Sequence, residues 1–520
     1  MNGAHSLLAT LVGSGVDVCF ANPGTSEMHF VAALDGVPEL RPVLTLFEGV
    51  ATGAADGFAR MAGRPAAVLL HLGPGLGNGL ANLHNARRAG SGVVAVVGEH
   101  ATGHQRYDAP LQSDIAAVAG SVSAWLRTSA SPADVGRDAA DAVAAARAGR
   151  IATLVLPADA SWSDGGKAAD PAPVPGRPAA DPDALRAAAD ALRSGEPTLL
   201  LLGGDACRAE GLAAASRIAA ATGARMLTET FPARLERGAG VAPVGRLGYV
   251  VEQAQHQLAG VRHLVLLGAR EPVAFFAYPG KPGSLVPEGA AVHAVAPQSG
   301  EAAAAAVELA DLVAADAAPV RAPAGRPELP TGPLTIANAA AVVGALLPEG
   351  AVVVDEANTS GLGLPAATAG APRHDWLTLT GGAIGYGLPA ATGAALACPD
   401  RPVWCLQADG SAMYTISALW THARERLDVT TVVYNNGAYA ILRAELQQVG
   451  AAGFVVGDGA RARSLLDLSR PSLDFVALAG GMGVPATSVD TAEGMAEALR
   501  RAAAEDGPHL IEAVVPPAVR

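Results

Sequence analysis

Charged and aromatic side chains are scarce in this 520-residue chain: Asp, Glu, Lys and Arg together make 16% of it, and Phe, Trp and Tyr only 4%. The charge leans acidic, with 36 Lys and Arg against 49 Asp and Glu. A net charge of −13 argues against a surface built to neutralise a phosphate backbone, so no nucleic-acid partner is expected. The four cysteines, Cys19, Cys207, Cys398 and Cys405, share no CxxC or metal-ligand spacing, which excludes a structural zinc and a disulfide framework. Long apolar runs are missing too. Runs such as 92–97 and 198–202 fall far short of the roughly 20 residues of a spanning helix. The mean hydropathy of +0.28 therefore reflects alanine, not a membrane segment. Residues 1–10 show neither a basic n-region nor a signal-type cleavage pattern. The expectation is a soluble, reduced, cytoplasmic protein with no membrane partner.

Half of the residues are apolar, enough for sizeable cores, and the length implies about three domains. Two stretches read as linkers: 164–183, with five prolines and almost no large apolar residue, and 316–333 of the same character. They leave domains at 1–163, 184–315 and 334–520, all of ordinary size. Each block alternates short apolar runs with helical patterns. In the first, runs at 16–20, 43–47, 66–71, 93–97 and 152–156 are separated by helical stretches such as 49–61 and 79–88. The middle block has runs at 198–202, 263–267 and 291–296, and the last at 352–355, 403–407, 429–434 and 509–514. Continuous runs of this length suit buried parallel strands with helical crossovers. The fold class is α/β, with three doubly wound parallel-sheet domains. In such sheets ligands bind beyond the carboxyl ends of the strands.

The sharpest constellation follows two strand runs of the last block: Gln407-Ala408-Asp409-Gly410-Ser411, then Asn435-Asn436-Gly437-Ala438-Tyr439. Between them, 411–425 carries Met413, Ile416, Leu419 and Ala423 at helical spacing. The 27 residues from Asp409 to Asn436 make one strand–helix–strand crossover, which brings both side chains to one sheet edge. A carboxylate, an amide oxygen and a nearby backbone carbonyl are half of a Mg2+ shell, and that ion usually completes its octahedron with phosphate oxygens and water. Gly410 and the helix start behind it offer backbone N–H groups to a diphosphate. Alone, Asp-Gly is a turn and Asn-Asn-Gly a loop; their joint placement points to a site.

This pattern resembles the diphosphate-binding motif of thiamine diphosphate enzymes, in the group of acetolactate synthase, pyruvate oxidase and benzoylformate decarboxylase. The resemblance covers essentially the whole chain. It is carried by Asn22-Pro23-Gly24-Thr25-Ser26-Glu27, Phe47-Glu48-Gly49, Ala55-Asp56-Gly57-Phe58-Ala59-Arg60, Gly73-Pro74-Gly75 and Gly382-Ala383-Ile384-Gly385-Tyr386-Gly387-Leu388-Pro389-Ala390-Ala391. One departure is Ala408, where the group has the first glycine of Gly-Asp-Gly. The resemblance implies pyrimidine-binding, middle and diphosphate-binding domains in that order. It also implies Mg2+ held by Asp409, Asn436 and the carbonyl of Ala438, with cofactor contacts from Asn358, Thr359, Gly410, Ser411 and Tyr439. Ile384 would be the wedge that bends thiamine diphosphate, and the Gly382 carbonyl would accept a hydrogen bond from its aminopyrimidine. Glu48, which read alone is a helix N-terminal charge favoured by the dipole, would hydrogen-bond the pyrimidine ring nitrogen and so promote removal of the thiazolium proton. That role needs a carboxyl group in a dry site. Glu48 and the metal loop lie in different domains, and the group builds its site across a subunit interface, which implies a homodimer or homotetramer.

Within the group, His71 falls where benzoylformate decarboxylase has an active-site histidine, and Thr25 where that enzyme has a substrate-contacting serine. The run 411–421 is also similar to that enzyme's. Read alone, a histidine at a strand end is often only a satisfied polar residue. Acetolactate synthases have a small polar residue in place of His71 and an active-site glutamine where this chain has Leu111, with Gln112 one residue late. The decarboxylase's middle-domain histidine has no counterpart in Pro272-Val273-Ala274-Phe275-Phe276-Ala277-Tyr278, and Glu445 reads equally as an acid near the substrate or a solvated helix residue. As a whole the chain is similar to actinobacterial acetolactate synthase large subunits, a fold-level likeness that ranks below the site residues. The implied activity is cleavage of the C–C bond of a small 2-oxo acid, with or without acyloin formation, with His71 relaying a proton. The alternatives are acetolactate synthesis from two pyruvates and a non-catalytic homologue that keeps the cofactor. FAD is the lesser possibility: Leu201-Leu202-Gly203-Gly204-Asp205 before a helix could meet a nucleotide phosphate, though Gly-Gly after a strand is most often a turn.

Overall fold

The structure, a computed structural model, describes residues 1–451 and 459–517. The chain divides into two compact units: Met1–Pro175, Arg326–Thr368 and Gly381–Arg520 form the first, Gly176–Gly325 and Ala369–Thr380 the second. The backbone is irregular from 165 to 181 and from 317 to 331.

In the first unit, β1 (Val18–Ala21), β2 (Arg41–Leu44), β3 (Ala66–Leu70), β4 (Val93–Glu99), β5 (Trp125–Thr128) and β6 (Ile151–Pro157) form a parallel sheet in the order β2-β1-β3-β4-β6-β5. β3, β4 and β6 are buried along their whole length, as strands covered on both faces must be. Successive residues of β4 serve opposite cores. Val94 and Val96 pack with Leu7, Leu8 and Leu11 of the Gly3–Gly13 helix and Val135 and Val143 of the Pro132–Arg147 helix. Val93, Ala95 and Val97 face Ala51, Ala54 and Phe58 of the Glu48–Ala62 helix and Leu76 and Leu83 of the Leu72–Ala89 helix.

In the second unit, β7 (Thr198–Leu202), β8 (Arg225–Thr228), β9 (Arg234–Arg237), β10 (Gly245–Arg246), β11 (His263–Leu267) and β12 (Ala291–Ala296) follow, and all but β9 make a parallel sheet ordered β10-β8-β7-β11-β12. The last strands are β13 (Val352–Glu356), β14 (His374–Thr378), β15 (Val403–Ala408), β16 (Val429–Asn435), β17 (Ala486–Val489) and β18 (His509–Val514). β14 belongs to the second unit and pairs antiparallel with β9. The others give the first unit its second parallel run, β17-β18-β16-β15-β13. The fold is thus three parallel-sheet α/β domains. No helix among the described residues is long and apolar enough to cross a membrane.

Two sequence expectations need correction. The run 43–47 is strand only to Leu44, because Glu48 opens a helix and 45–47 must turn to reach it. The periodic stretch 411–425 is not one helix but two, Asp409–Ala412 and Ala418–Glu425. The break lets the Thr415 hydroxyl donate to the Gly385 carbonyl at 3.0 Å.

Inside the first unit the two sheets are joined where the Glu48–Ala62 helix meets the Gly387–Ala397 helix. The approach is close because both carry glycine at the contact. A Cβ on Gly57 would overlap the Ala390 carbonyl, and one on Gly393 the Ala54 carbonyl.

Candidate active site

β15 and β16 are hydrogen-bonded neighbours with Ala408 opposite Tyr434, so the residues after them, Asp409 and Asn436, leave the sheet at one edge. The Asp409 side chain is buried and organises both loops. One oxygen accepts the Gly410 N–H at 2.7 Å, the other those of Asn436 at 3.0 Å and Gly437 at 2.8 Å. The Asn436 side-chain oxygen accepts the Ala438 N–H at 3.0 Å, and its amide nitrogen lies 3.4 Å from the Ser360 hydroxyl. Ser360 belongs to the turn Asn358–Gly361 after β13, where Asn358 is exposed with φ +51° and Thr359 is half-buried. Ser411 donates to the Ala408 carbonyl at 3.1 Å. Ala408 itself has φ −83° and ψ 150°, ordinary extended backbone that needs no glycine.

Burial pushes the Asp409 carboxyl above the usual carboxylate range, against the pull of its backbone hydrogen bonds. No Lys or Arg pairs with it among the described residues. A buried carboxylate, an amide oxygen and the Ala438 carbonyl, which accepts the Ala440 N–H at 2.9 Å, make an all-oxygen donor set of the kind that suits Mg2+. No group of three His, Cys, Asp or Glu converges on a metal among the described residues.

The segment Gly381–Gly387 lies beside this edge, its backbone held by side chains. Asn85 brackets Ala383, donating to its carbonyl at 2.8 Å and accepting its N–H at 3.2 Å. Asn82 donates to the Gly385 carbonyl at 3.1 Å, and the buried Arg60, paired with Asp56, donates to the Tyr386 hydroxyl at 2.8 Å. Gly382 is exposed with φ +74°, and its carbonyl takes none of these bonds; the Ile384 side chain is half-buried. A held loop that presents one carbonyl and one branched side chain fits the aminopyrimidine contacts expected of it.

The other candidates lie beyond the carboxyl ends of β1, β2 and β3. Glu48 is buried and receives the Asn78 amide at 3.0 Å. Nδ1 of His71 lies 2.8 Å from a carboxylate oxygen of Glu27 and 3.2 Å from the Ser26 hydroxyl. Glu27 is buried and fixed in turn, accepting the Gly24 N–H at 2.9 Å and the Ser26 hydroxyl at 2.6 Å. With Glu27 ionised, Nδ1 is the donor, which leaves Nε2 as the basic nitrogen. Leu72, directly after His71, has φ +49°, a conformation that costs an L-residue about 1–2 kcal/mol and sets the direction in which the His71 backbone enters its helix.

The candidates thus gather into two sets. Asn358, Thr359, Asp409, Gly410, Ser411, Asn436, Ala438 and Tyr439 surround the β13, β15 and β16 edge, while Glu48 and His71 share the β2, β1 and β3 edge. Thr25 is exposed at the start of the turn Thr25–Glu27, and its neighbour Ser26 is the residue that reaches His71. Leu111 is exposed, whereas Gln112 is half-buried with its amide oxygen buried and unpartnered. Glu445 is half-buried in the Ala440–Ala451 helix. Sequence reasoning missed Glu27 as the partner of His71 and Asn78 as the partner of Glu48.

The Gly203-Gly204 turn has another explanation than a flavin. Cβ atoms there would collide with backbone at Gly268 and Gln298. Asp205 caps the Ala302–Val313 helix through the Ala303 N–H at 2.9 Å and pairs with Arg177 at 2.7 Å.

Comparison with known proteins agrees with this geometry. Residues 1–119 match the N-terminal TPP binding domain of thiamine pyrophosphate enzymes, and residues 359–513 the C-terminal TPP binding domain. The chain is 66% identical over 517 residues to a Mycobacterium tuberculosis protein named as an acetolactate synthase large subunit, IlvX, with 99% of each covered. It is 32% identical to benzoylformate decarboxylase of Pseudomonas aeruginosa, with 96% of each covered. The thiamine diphosphate-dependent 4-hydroxybenzoylformate decarboxylase of Rhodococcus jostii superposes with a TM-score of 0.82 at 26% identity over 99% of each chain. By these matches the chain belongs to the thiamine pyrophosphate-dependent enzymes, in the family of acetolactate synthase and benzoylformate decarboxylase.

Proposed function

We propose that the protein is a Mg2+- and thiamine diphosphate-dependent decarboxylase of a small 2-oxo acid. The observation that carries this reading is His71, whose Nδ1 lies 2.8 Å from the buried Glu27 carboxylate. When bound, thiamine diphosphate supplies the nucleophilic carbon and the electron sink that allow CO2 to leave. Asp409, Asn436 and the Ala438 carbonyl would hold Mg2+, and Asn358, Thr359, Gly410, Ser411 and Tyr439 would line the diphosphate end. The Gly382 carbonyl and Ile384 would meet the aminopyrimidine. Glu48, buried, would exchange a proton with the pyrimidine ring, and His71 would carry a proton at Nε2 to or from the substrate. Thr25 and Ser26 flank the substrate side. The active enzyme is a cytoplasmic homodimer or homotetramer with Glu48 and the metal loop contributed by different subunits.

A second reading is acetolactate formation from two pyruvates, favoured by the 66% identity to the mycobacterial protein of that name. Product analysis separates the two. Protein charged with Mg2+ and thiamine diphosphate is given pyruvate or phenylglyoxylate, and the products are read by proton NMR. The proposal expects free aldehyde. Acetolactate from pyruvate alone would replace it with the second reading, and consumption of neither acid would count against both.

A further inference from the structure

One buried carboxylate lies behind both loops of the cofactor edge and belongs to neither. Glu356 is the last residue of β13, paired in register with Gln407 on β15, and its side chain is 1% exposed. One of its oxygens accepts the Gly385 N–H at 2.8 Å. The other accepts the Gly387 N–H at 2.6 Å and the Gln407 amide at 2.9 Å. The same Gln407 nitrogen donates to the Ser411 hydroxyl at 2.6 Å, and Ser411 closes on the Ala408 carbonyl at 3.1 Å. A continuous chain of hydrogen bonds therefore runs from the segment that presents Gly382 and Ile384 to the turn that presents Asp409 and Gly410. No cation pairs with Glu356 among the described residues, and burial pushes its carboxyl up from the usual range.

A carboxylate desolvated without a counter-charge is costly, and core packing gives no reason to keep one. Its geometry does. Only a group with acceptors alone on both oxygens can meet three converging N–H donors, two from the segment Gly381–Gly387 and one from β15. An amide would turn an N–H against one of them.

We propose that Glu356 is a positioning residue: it fixes the spacing between the pyrimidine-side segment Gly381–Gly387 and the diphosphate-side turn Asp409–Ser411, so that one cofactor meets both. This rests on the assignment of that edge to thiamine diphosphate.

The test is isothermal titration of thiamine diphosphate with Mg2+ into wild type and Glu356→Gln, alongside the Tm of each protein without cofactor. The variant should bind the cofactor at least tenfold more weakly at a temperature where both cofactor-free proteins are folded. A residue that merely supported the fold would lower the Tm and leave the affinity of the folded protein unchanged. Wild-type affinity in Glu356→Gln overturns the proposal. If that variant does not fold, Gln407→Ala breaks the same chain one link later. Weakened binding in a folded Gln407→Ala supports the proposal, and unchanged binding overturns it. Absence of cofactor binding by the wild type would overturn the assignment of the edge itself, and the role of Glu356 with it.

Discussion

Glu27 and His71 show how little separates a polar residue at a strand end from a catalytic group. The imidazole is only partly exposed, and the Glu27 carboxylate at 2.8 Å fixes which of its nitrogens faces outward. Removing a positioned proton carrier costs about 10²–10⁴ in rate, so His71→Ala should lower kcat by that order. Glu27→Gln, which leaves the ring in place but loosens its tautomer, should fall between His71→Ala and wild type. Steady-state kinetics on the two variants check the order, and a Glu27→Gln enzyme with wild-type kcat would contradict it. The position of His71 and Glu48 at one sheet edge was legible in the sequence because each follows an apolar run. Glu27 was not, since a glutamate three residues beyond a glycine reads as a turn residue until the fold brings β1 beside β3.

At the scale of elements, the ends of the strands were legible where an apolar run marks them. The runs 198–202, 263–267, 291–296 and 509–514 coincide with β7, β11, β12 and β18. β5, β8 and β17 were not legible, because they lack a continuous apolar run. The broken helix after Asp409 was missed for a different reason: its periodicity is real, but tertiary bonds from Thr415 override it. His422 is another such tertiary feature, on the Ala418–Glu425 helix with Nε2 against the Leu388 carbonyl at 3.2 Å and the Thr392 hydroxyl at 2.8 Å. Burial lowers its pKa from 6.5 to about 4. Between those values the unfolded chain holds the proton and the folded chain does not. This contribution to stability is therefore complete above about pH 6.5 and drains as the pH falls toward 4, by up to about 1.4 kcal/mol per unit. Thermal melts of His422→Asn should show a smaller loss of Tm between pH 7 and pH 5 than wild type; an equal loss would contradict the assignment.

For the whole molecule, three α/β domains could be read from alternation alone, since buried parallel strands and amphipathic crossovers leave distinct patterns. Assembly could not, because a subunit interface is a surface property with no periodicity of its own. The proposed sharing of each site between subunits makes a direct prediction. Glu48→Gln and Asn436→Ala chains, each inactive alone, should regain activity when unfolded and refolded together. A random dimer mixture restores one intact site in half of the dimers, about a quarter of wild-type activity. No recovery, with mixed dimers present, would mean that both residues serve a site within one chain.

The central claim is that Glu48 drives thiamine diphosphate chemistry in this protein. Its most direct test is exchange of the thiazolium C2 proton of bound cofactor with deuterium, followed by proton NMR after rapid quench in wild type and Glu48→Gln. The account predicts exchange well above that of free cofactor in wild type and a fall of about 10²-fold or more in the variant. Equal exchange rates in the two proteins would contradict it.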